Sequence, residues 1–241
     1  MSQPLPVFFS TQQAAINDLL SLDDETSRHI SQVLRMEAGE QVRLTDGLGT
    51  ELTAEVTISH KKKTEVRIKS VMQLEPPGTA ACLAVSLLKN ASRFEWILEK
   101  VTEMGIREIY PLICERTEKQ HFRSDRMKNI LTSAMLQSQQ HWLPLLHEPL
   151  SFSVFIADPQ ITEKYPRNFI AHCIPGEKES LRKASDKATG GKIILIGPEG
   201  DFSPAEISAA QNKNYIPVSL GDTRLRTETA AVTAAAFISI Y

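Results

Sequence analysis

The hydrophobic period of the chain changes at LEPPGT, residues 74–79, and that change limits the folds open to it. Before it, Val42, Leu44, Leu52, Ala54, Val56, Ile58, Val66 and Ile68 alternate with polar residues, the period of half-buried strands. After it, short apolar runs are separated by segments of helical period. ACLAVSLL (81–88), IREIYPLI (106–113), NFIAHC (168–173), KIILIG (192–197) and YIPVSLG (215–221) read as strands. The continuous apolar run of the first fits a strand buried on both faces. Strands alternating with helices imply a mostly parallel α/β sheet. The expected organisation is a small β-barrel over residues 1–73, a linker over 74–79 and an α/β domain over 80–241.

Local signals sharpen this outline. Asp46-Gly47 marks a hairpin turn between the first two alternating runs. DDETSRHISQVLRMEAG reads as a short helix with Ile30, Val33 and Leu34 on one face and Gly39 just beyond its end. SRFEWILEKVTEMG opens with a Ser92–Glu95 capping box and places Phe94, Ile97, Leu98, Val101 and Met104 on one helical face. Residues 125–140 form a second helix with Ile130, Leu131, Ala134 and Met135 inward. Ser203-Pro204-Ala205-Glu206 is another capping box, with proline at the first helical position.

Composition excludes several classes. The 41% hydrophobic and 23% charged content over 241 residues is that of a globular protein with a full core. A net charge of −2 gives no global pull toward nucleic acid, so any such partner is held by local patches. Cys82, Cys114 and Cys173 are widely spaced and read as reduced core residues of a cytosolic protein. The six histidines show no metal-ligand spacing, so no metal is expected. MSQPLPVFFS lacks the pattern of a signal peptide, and no apolar run approaches the roughly 18 residues of a membrane span.

Two turns carry the chemistry. IGPEGDFS (196–203) and LGDTRLRTETA (220–230) each leave an apolar strand through glycine and enter a helix N-terminus. Alone, either is a tight strand-to-helix turn; together they point to a ligand at the carboxyl ends of the strands. Neither contains the glycine pattern of a dinucleotide site or a phosphate loop. Gly197-Pro198-Glu199-Gly200 fits the GXXG of an RNA-clamping loop, but its glutamate would repel phosphate.

IGPEGDFSPAEI with VSLGDTRLRTETAA resembles the two C-terminal signatures of the bacterial 16S ribosomal RNA uridine-N3 methyltransferases, of the SPOUT class. RHISQVLRMEAGEQVRLTDGLGTELTAEV (28–56) and RFEWILEKVTEMGIREIYPL (93–112) are similar to that family's N-terminal pattern and to the opening of its catalytic domain. The resemblance implies a PUA-like barrel, an α/β domain with a deep trefoil knot, S-adenosylmethionine bound in the knot, and a homodimer acting on 16S rRNA. It implies cofactor binding by Gly197, Glu199, Gly200, Leu220, Gly221, Leu225, Thr229 and Ala230. Three departures stand out: Gln137-Ser138-Gln139-Gln140 where the family has Gln-Ser-Gly-Arg, Asp201 where glycine is common, and Val7 in place of an arginine.

Within that frame Arg226 is the candidate to stabilise negative charge developing on a uracil ring, with Arg224 beside it. An ion pair with Glu228 or with a partner subunit is the competing role for either arginine. Glu199, Asp201 and Glu228 stand as alternative bases. RNA contact falls to Arg28, His29 and Arg35 and to Lys61, Lys62 and Lys63 of a basic run, which otherwise is a solvated face. Two other readings stay open: an RNA-binding factor without catalysis, and a small-molecule enzyme using the two glycine turns.

Overall fold

A computed structural model describes residues 4–76, 78, 80–118, 122–187 and 190–239. Pro77 and Thr79 of the expected linker lie outside them. The chain divides into two compact units, residues 1–76 with 135–143, and residues 77–134 with 144–241.

The first unit contains β1 (Val7–Phe9), β2 (Leu19–Ser21), α1 (Asp24–Arg28), β3 (Gln41–Thr45), β4 (Thr50–Ile58) and β5 (Glu65–Gln73). The strands form a half-barrel in the order β1-β3-β4-β5-β2. The expected alternation places Val42, Leu44, Leu52, Ala54, Val56, Val66 and Ile68 in its core. Ile58 departs from it and is 50% exposed. The register slips between Val56 and Ile58, and such a bulge ends the alternation and turns the next side chain outward.

The expected helix near residue 30 is shorter than its periodicity suggests. Asp23 caps α1 by accepting from the Thr26 amide at 2.8 Å, but after Arg28 the chain widens into a π turn, His29–Val33. Only Ile30 of the expected face is buried; Val33 and Leu34 are 67% and 42% exposed. The wider turn rotates them off the core side.

Asp46-Gly47 makes the expected turn: Asp46 Oδ1 accepts from the Leu48 and Thr50 amides at 2.7 and 3.1 Å. Residues 141–143 clamp it, through Gly49 N to His141 O and Leu143 N to Gly47 O, both 2.8 Å. Gln139, at φ +56, stands in the left-handed region, and its Oε1 accepts from Arg43 Nη2 at 3.0 Å.

The second unit contains β6 (Ala81–Ser86), α2 (Ala91–Glu103), β7 (Glu108–Ile113), α3 (Ser124–Gln137, whose end counts with the first unit), β8 (Leu145–Leu146), β9 (Leu150–Ser151), α4 (Phe152–Ala157) and α5 (Pro159–Lys164). It continues with β10 (Arg167–Ala171), β11 (Glu179–Ser180), α6 (Leu181–Asp186), β12 (Lys192–Ile196), α7 (Pro204–Asn212), β13 (Ile216–Ser219) and α8 (Thr227–Ser239). All pairings are parallel, in the order β11-β13-β10-β12-β6-β7-β8, with β9 also on β7. Every residue of β6 and β12 is buried, as a parallel sheet covered on both faces requires. The five expected strands are all present, and β8, β9 and β11 are too short to show in the sequence pattern.

α7 starts with the expected reciprocal box between Ser203 and Glu206 and with Pro204 in its first turn. α2 does not start as expected: Asn90 is its cap, accepting from the Ser92 amide at 2.9 Å. Glu95 is drawn instead to Arg126, whose Nη2 donates to Oε2 at 2.8 Å. Cys82 and Cys114 are buried as expected, whereas Cys173 is exposed because its strand ends at Ala171. α8 packs on α2, α6, β6 and β12, burying Thr227, Ala231, Ala234, Ala235 and Ile238. The alanine methyls let the helix axis come close to the sheet. Among the described residues no helix is long and apolar enough to cross a membrane.

Candidate functional site

β12, β10 and β13 lie side by side and end level, with Ile196, Ala171 and Val218 opposite one another. Chain order departs from spatial order at β10: β12 lies on one side of it and β13 on the other. Loops leaving those two strands therefore converge over the end of β10, where open parallel sheets bind ligands. They enclose a cavity of about 810 Å³, a size that suits a small-molecule ligand.

Each wall has a local reason for its shape. The turn after β12 doubles back so tightly that a Cβ on Gly197 would lie 3.0 Å from the Phe202 amide. Its last residue, Asp201, has φ +65, a conformation that Asp tolerates better than most side chains. Asp201 Oδ2 accepts from the Cys173 amide and Oδ1 from the Phe202 amide, both at 2.8 Å. In the loop after β13, the Ser219 hydroxyl donates to Gly221 O at 2.9 Å and accepts from its amide at 3.2 Å. Gly221, which lines the cavity, has φ +147, and a Cβ there would meet nothing within 4 Å.

Charge collects at the rim. Arg93, Lys178, Arg224 and Arg226 line the cavity with Glu199, Asp201 and Glu228. Glu228 Oε1 lies 3.6 Å from Arg93 Nη1, and its Oε2 is buried with no hydrogen-bond partner among the described residues. Glu199 Oε1 accepts from the Lys89 amide at 3.2 Å. Neither Arg224 nor Arg226 has a side-chain partner among the described residues, and both are exposed. Lys178 Nζ donates to the His172 carbonyl at 2.6 Å. Burial, aided by the Lys178 ammonium, holds the His172 imidazole below its ordinary pKa against the pull of Asp201.

The RNA methyltransferase domain family matches residues 75–239, and the RNA methyltransferase PUA domain matches residues 22–69. The ribosomal RNA small subunit methyltransferase E of Synechocystis is 31% identical, covering 93% of this chain and 74% of that one. The chain belongs to the RNA methyltransferase family that includes these enzymes. A Legionella pneumophila methyltransferase solved with bound cofactor SAM is 31% identical, covers 98% of each chain and superposes with a TM-score of 0.84. A Neisseria gonorrhoeae ribosomal RNA small subunit methyltransferase E bound to S-adenosyl methionine is 26% identical, covering 97% of this chain and 96% of that one, with a TM-score of 0.83.

Of the sequence candidates in the methyltransferase domain, Gly197, Glu199, Leu220, Gly221, Leu225, Ala230, Arg226 and Glu228 line the cavity. Gly200 and Thr229 are not among its lining residues. Gly200 faces Arg116, whose Nη1 donates to its carbonyl at 2.8 Å. Thr229 is exposed on α8, about 100° around the helix from each neighbour. Sequence reasoning missed Arg93, Ala171, His172, Cys173 and Lys178. The end of β10 was legible as a strand end, but nothing local says that β10 lies between β12 and β13.

In the PUA-like unit the two basic segments are brought together. The Ser27 hydroxyl accepts from the Thr64 amide at 2.9 Å, so the end of α1 is joined to the residue that follows Lys61–Lys63. Arg28, His29 and Arg35 are exposed. His29 also rests edge-on against Phe8, ring centroids 5.6 Å apart, and Lys63 pairs with Glu65 at 2.7 Å. Among the described residues no cluster of three or more His, Cys, Asp or Glu could hold a metal.

Proposed function

We propose that this protein transfers a methyl group from S-adenosylmethionine to N3 of a uridine in 16S rRNA of the small ribosomal subunit. The observation that carries the reading is the cavity at the level ends of β12, β10 and β13, glycine-edged on two sides and rimmed by Arg224 and Arg226, which have no side-chain partner among the described residues. Its contents fit the cofactor. Leu220, Leu225, Ile196 and Val218 offer an apolar slot for an adenine, and the open side of Gly221 exposes backbone to a ligand. Gly197, Glu199 and Ala230, which line the cavity, would complete the grip.

The bound cofactor supplies an electrophilic methyl carbon. The chain's own residues do the rest. Arg226, exposed and without a side-chain partner among the described residues, would place its guanidinium on the uracil carbonyl that gains negative charge as N3 loses its proton. Of the three alternative carboxylates, Asp201 is committed to two backbone amides, Glu199 Oε1 accepts from the Lys89 amide, and Glu228 Oε1 faces Arg93. Glu228, two residues from Arg226 on the same wall of the cavity, would take the N3 proton. The remaining contribution is alignment of the two reacting atoms.

Arg28, His29, Arg35, Lys61, Lys62 and Lys63 would dock the RNA, with residues 1–73 as the docking domain, 74–79 as linker and 80–241 as the catalytic domain. The family reading also implies a trefoil knot around the cofactor, a homodimer, and a cytoplasmic location with the ribosome. The deciding experiment incubates purified protein and S-adenosylmethionine with small subunits from a strain deleted for this gene, followed by mass spectrometry of the rRNA. A single new N3-methyluridine is expected. Absence of methylation, or a methyl on another atom, would overturn the assignment.

A further inference from the structure

We propose that Asp201 is a positioning residue of the cofactor pocket, tying two of its walls together; this rests on the reading of the cavity as the S-adenosylmethionine site. The wall after β10 (Ala171–Cys173) and the turn after β12 (Gly197–Asp201) come from different loops and both line the cavity. Asp201 joins them directly: Oδ2 takes the Cys173 amide and Oδ1 the Phe202 amide, each at 2.8 Å. The Asp201 amide in turn donates to Pro198 O at 2.9 Å, closing the turn on itself. A carboxylate accepting two backbone amides makes bonds stronger than neutral ones. The tie is made at a cost, since residue 201 is held at φ +65, where glycine is free of strain.

That geometry gives the side chain a purpose that its backbone position does not require. Glycine would relax the turn and release Cys173, leaving the His172 end of the wall held by the Lys178 ammonium on the His172 carbonyl, 2.6 Å away. A cofactor entering a wall that moves must first order it, and that ordering is subtracted from affinity. Asp201 removes the step by holding the wall in place beforehand. It touches neither reacting atom and acts through the backbone of Cys173 and Phe202.

The test compares wild type with Asp201→Gly and Asp201→Asn by calorimetry with S-adenosylmethionine, alongside amide hydrogen exchange at Cys173. Asp201→Gly is expected to bind about tenfold more weakly, the loss typical of one hydrogen bond to a charged group, with faster exchange at Cys173. Asp201→Asn keeps one acceptor oxygen and tolerates positive φ, so it should recover part of the affinity and of the protection. Equal affinity in wild type and Asp201→Gly, or loss of thermal stability without loss of affinity, would overturn the positioning role. If wild type itself gives no binding heat, the cofactor reading falls and this inference falls with it. Should the glycine variant fail to fold, the asparagine variant decides: wild-type affinity in it with Cys173 exchange raised would sink the proposal, and weakened affinity would support it.

Discussion

Glu228 Oε1 lies 3.6 Å from Arg93 Nη1, so the carboxylate nearest Arg226 in sequence is engaged by an arginine from α2. The ion pair between Glu228 and Arg226 or Arg224 that the sequence left open does not form within the chain. Arg226 is left exposed at the cavity rim with its guanidinium unpaired among the described residues.

Arg226→Ala should therefore lower single-turnover methyl transfer far more than cofactor affinity. Removing one preorganised donor to developing charge costs about 10²–10³ in rate. Arg226→Lys should recover only part of it, because an ammonium lacks the planar fork. Affinity that collapses while the rate at saturating cofactor stays normal would make Arg226 a binding residue.

Gly221→Val should weaken S-adenosylmethionine binding by more than tenfold while the protein stays folded. Gly221 lines the cavity and a Cβ there meets no protein atom within 4 Å, while φ +147 is a conformation that valine rarely adopts, so this wall would shift without a core clash. Calorimetric titration reads the affinity and circular dichroism the fold; unchanged affinity would move the pocket elsewhere.

Glu108→Gln should destabilise the protein by about 1–3 kcal/mol at neutral pH. Burial works to raise the Glu108 pKa, but His147 (3.2 Å), Lys164 (2.8 Å) and the Tyr165 hydroxyl all bond its carboxylate and hold it to about 2. A lowered pKa contributes stability that is fully present above the ordinary value of 4.5 and is lost as pH falls toward 2. Urea unfolding of wild type and variant should converge as the pH is lowered through that window.

Gly49→Ala should destabilise the first unit by about 1–3 kcal/mol. An added Cβ would overlap the Trp142 ring, and φ +90 strains any side chain. Denaturation followed by tryptophan fluorescence checks it; a neutral result would mean that residues 141–143 do not hold the turn.

Much of the architecture was legible because it is written in short-range periodicity. The alternation of Val42, Leu44, Leu52, Ala54 and Val56 and the apolar runs of β6 and β12 gave two kinds of sheet. Where that reading failed, a tertiary pairing or a local irregularity of the backbone overrode the periodicity. Glu95 left its capping box for Arg126, Val33 and Leu34 turned outward at a π turn, and Ile58 turned outward after a bulge. Two departures from the family pattern have a shared explanation. Gln139 and Asp201 stand where the family uses glycine, both have positive φ, and each uses its side chain for a bond that glycine cannot make, to Arg43 and to the Cys173 amide.

The amino-acid sequence alone determined the class of the five longer strands of the parallel sheet and of the helices α2, α3 and α7, the two glycine turns and, through the family resemblance, the candidates Gly197, Gly221, Arg226 and Glu228, since propensity, turn chemistry and motif act over a few residues. Only the tertiary structure decided that β10 sits between β12 and β13, so that Ala171, His172 and Cys173 complete the cavity, and that Ser27 meets Thr64 to bring the two basic segments together. Strand order and pairings between residues far apart in the chain follow from how hydrophobic faces are buried together. That is a property of the whole packed chain, and no local window of residues contains it.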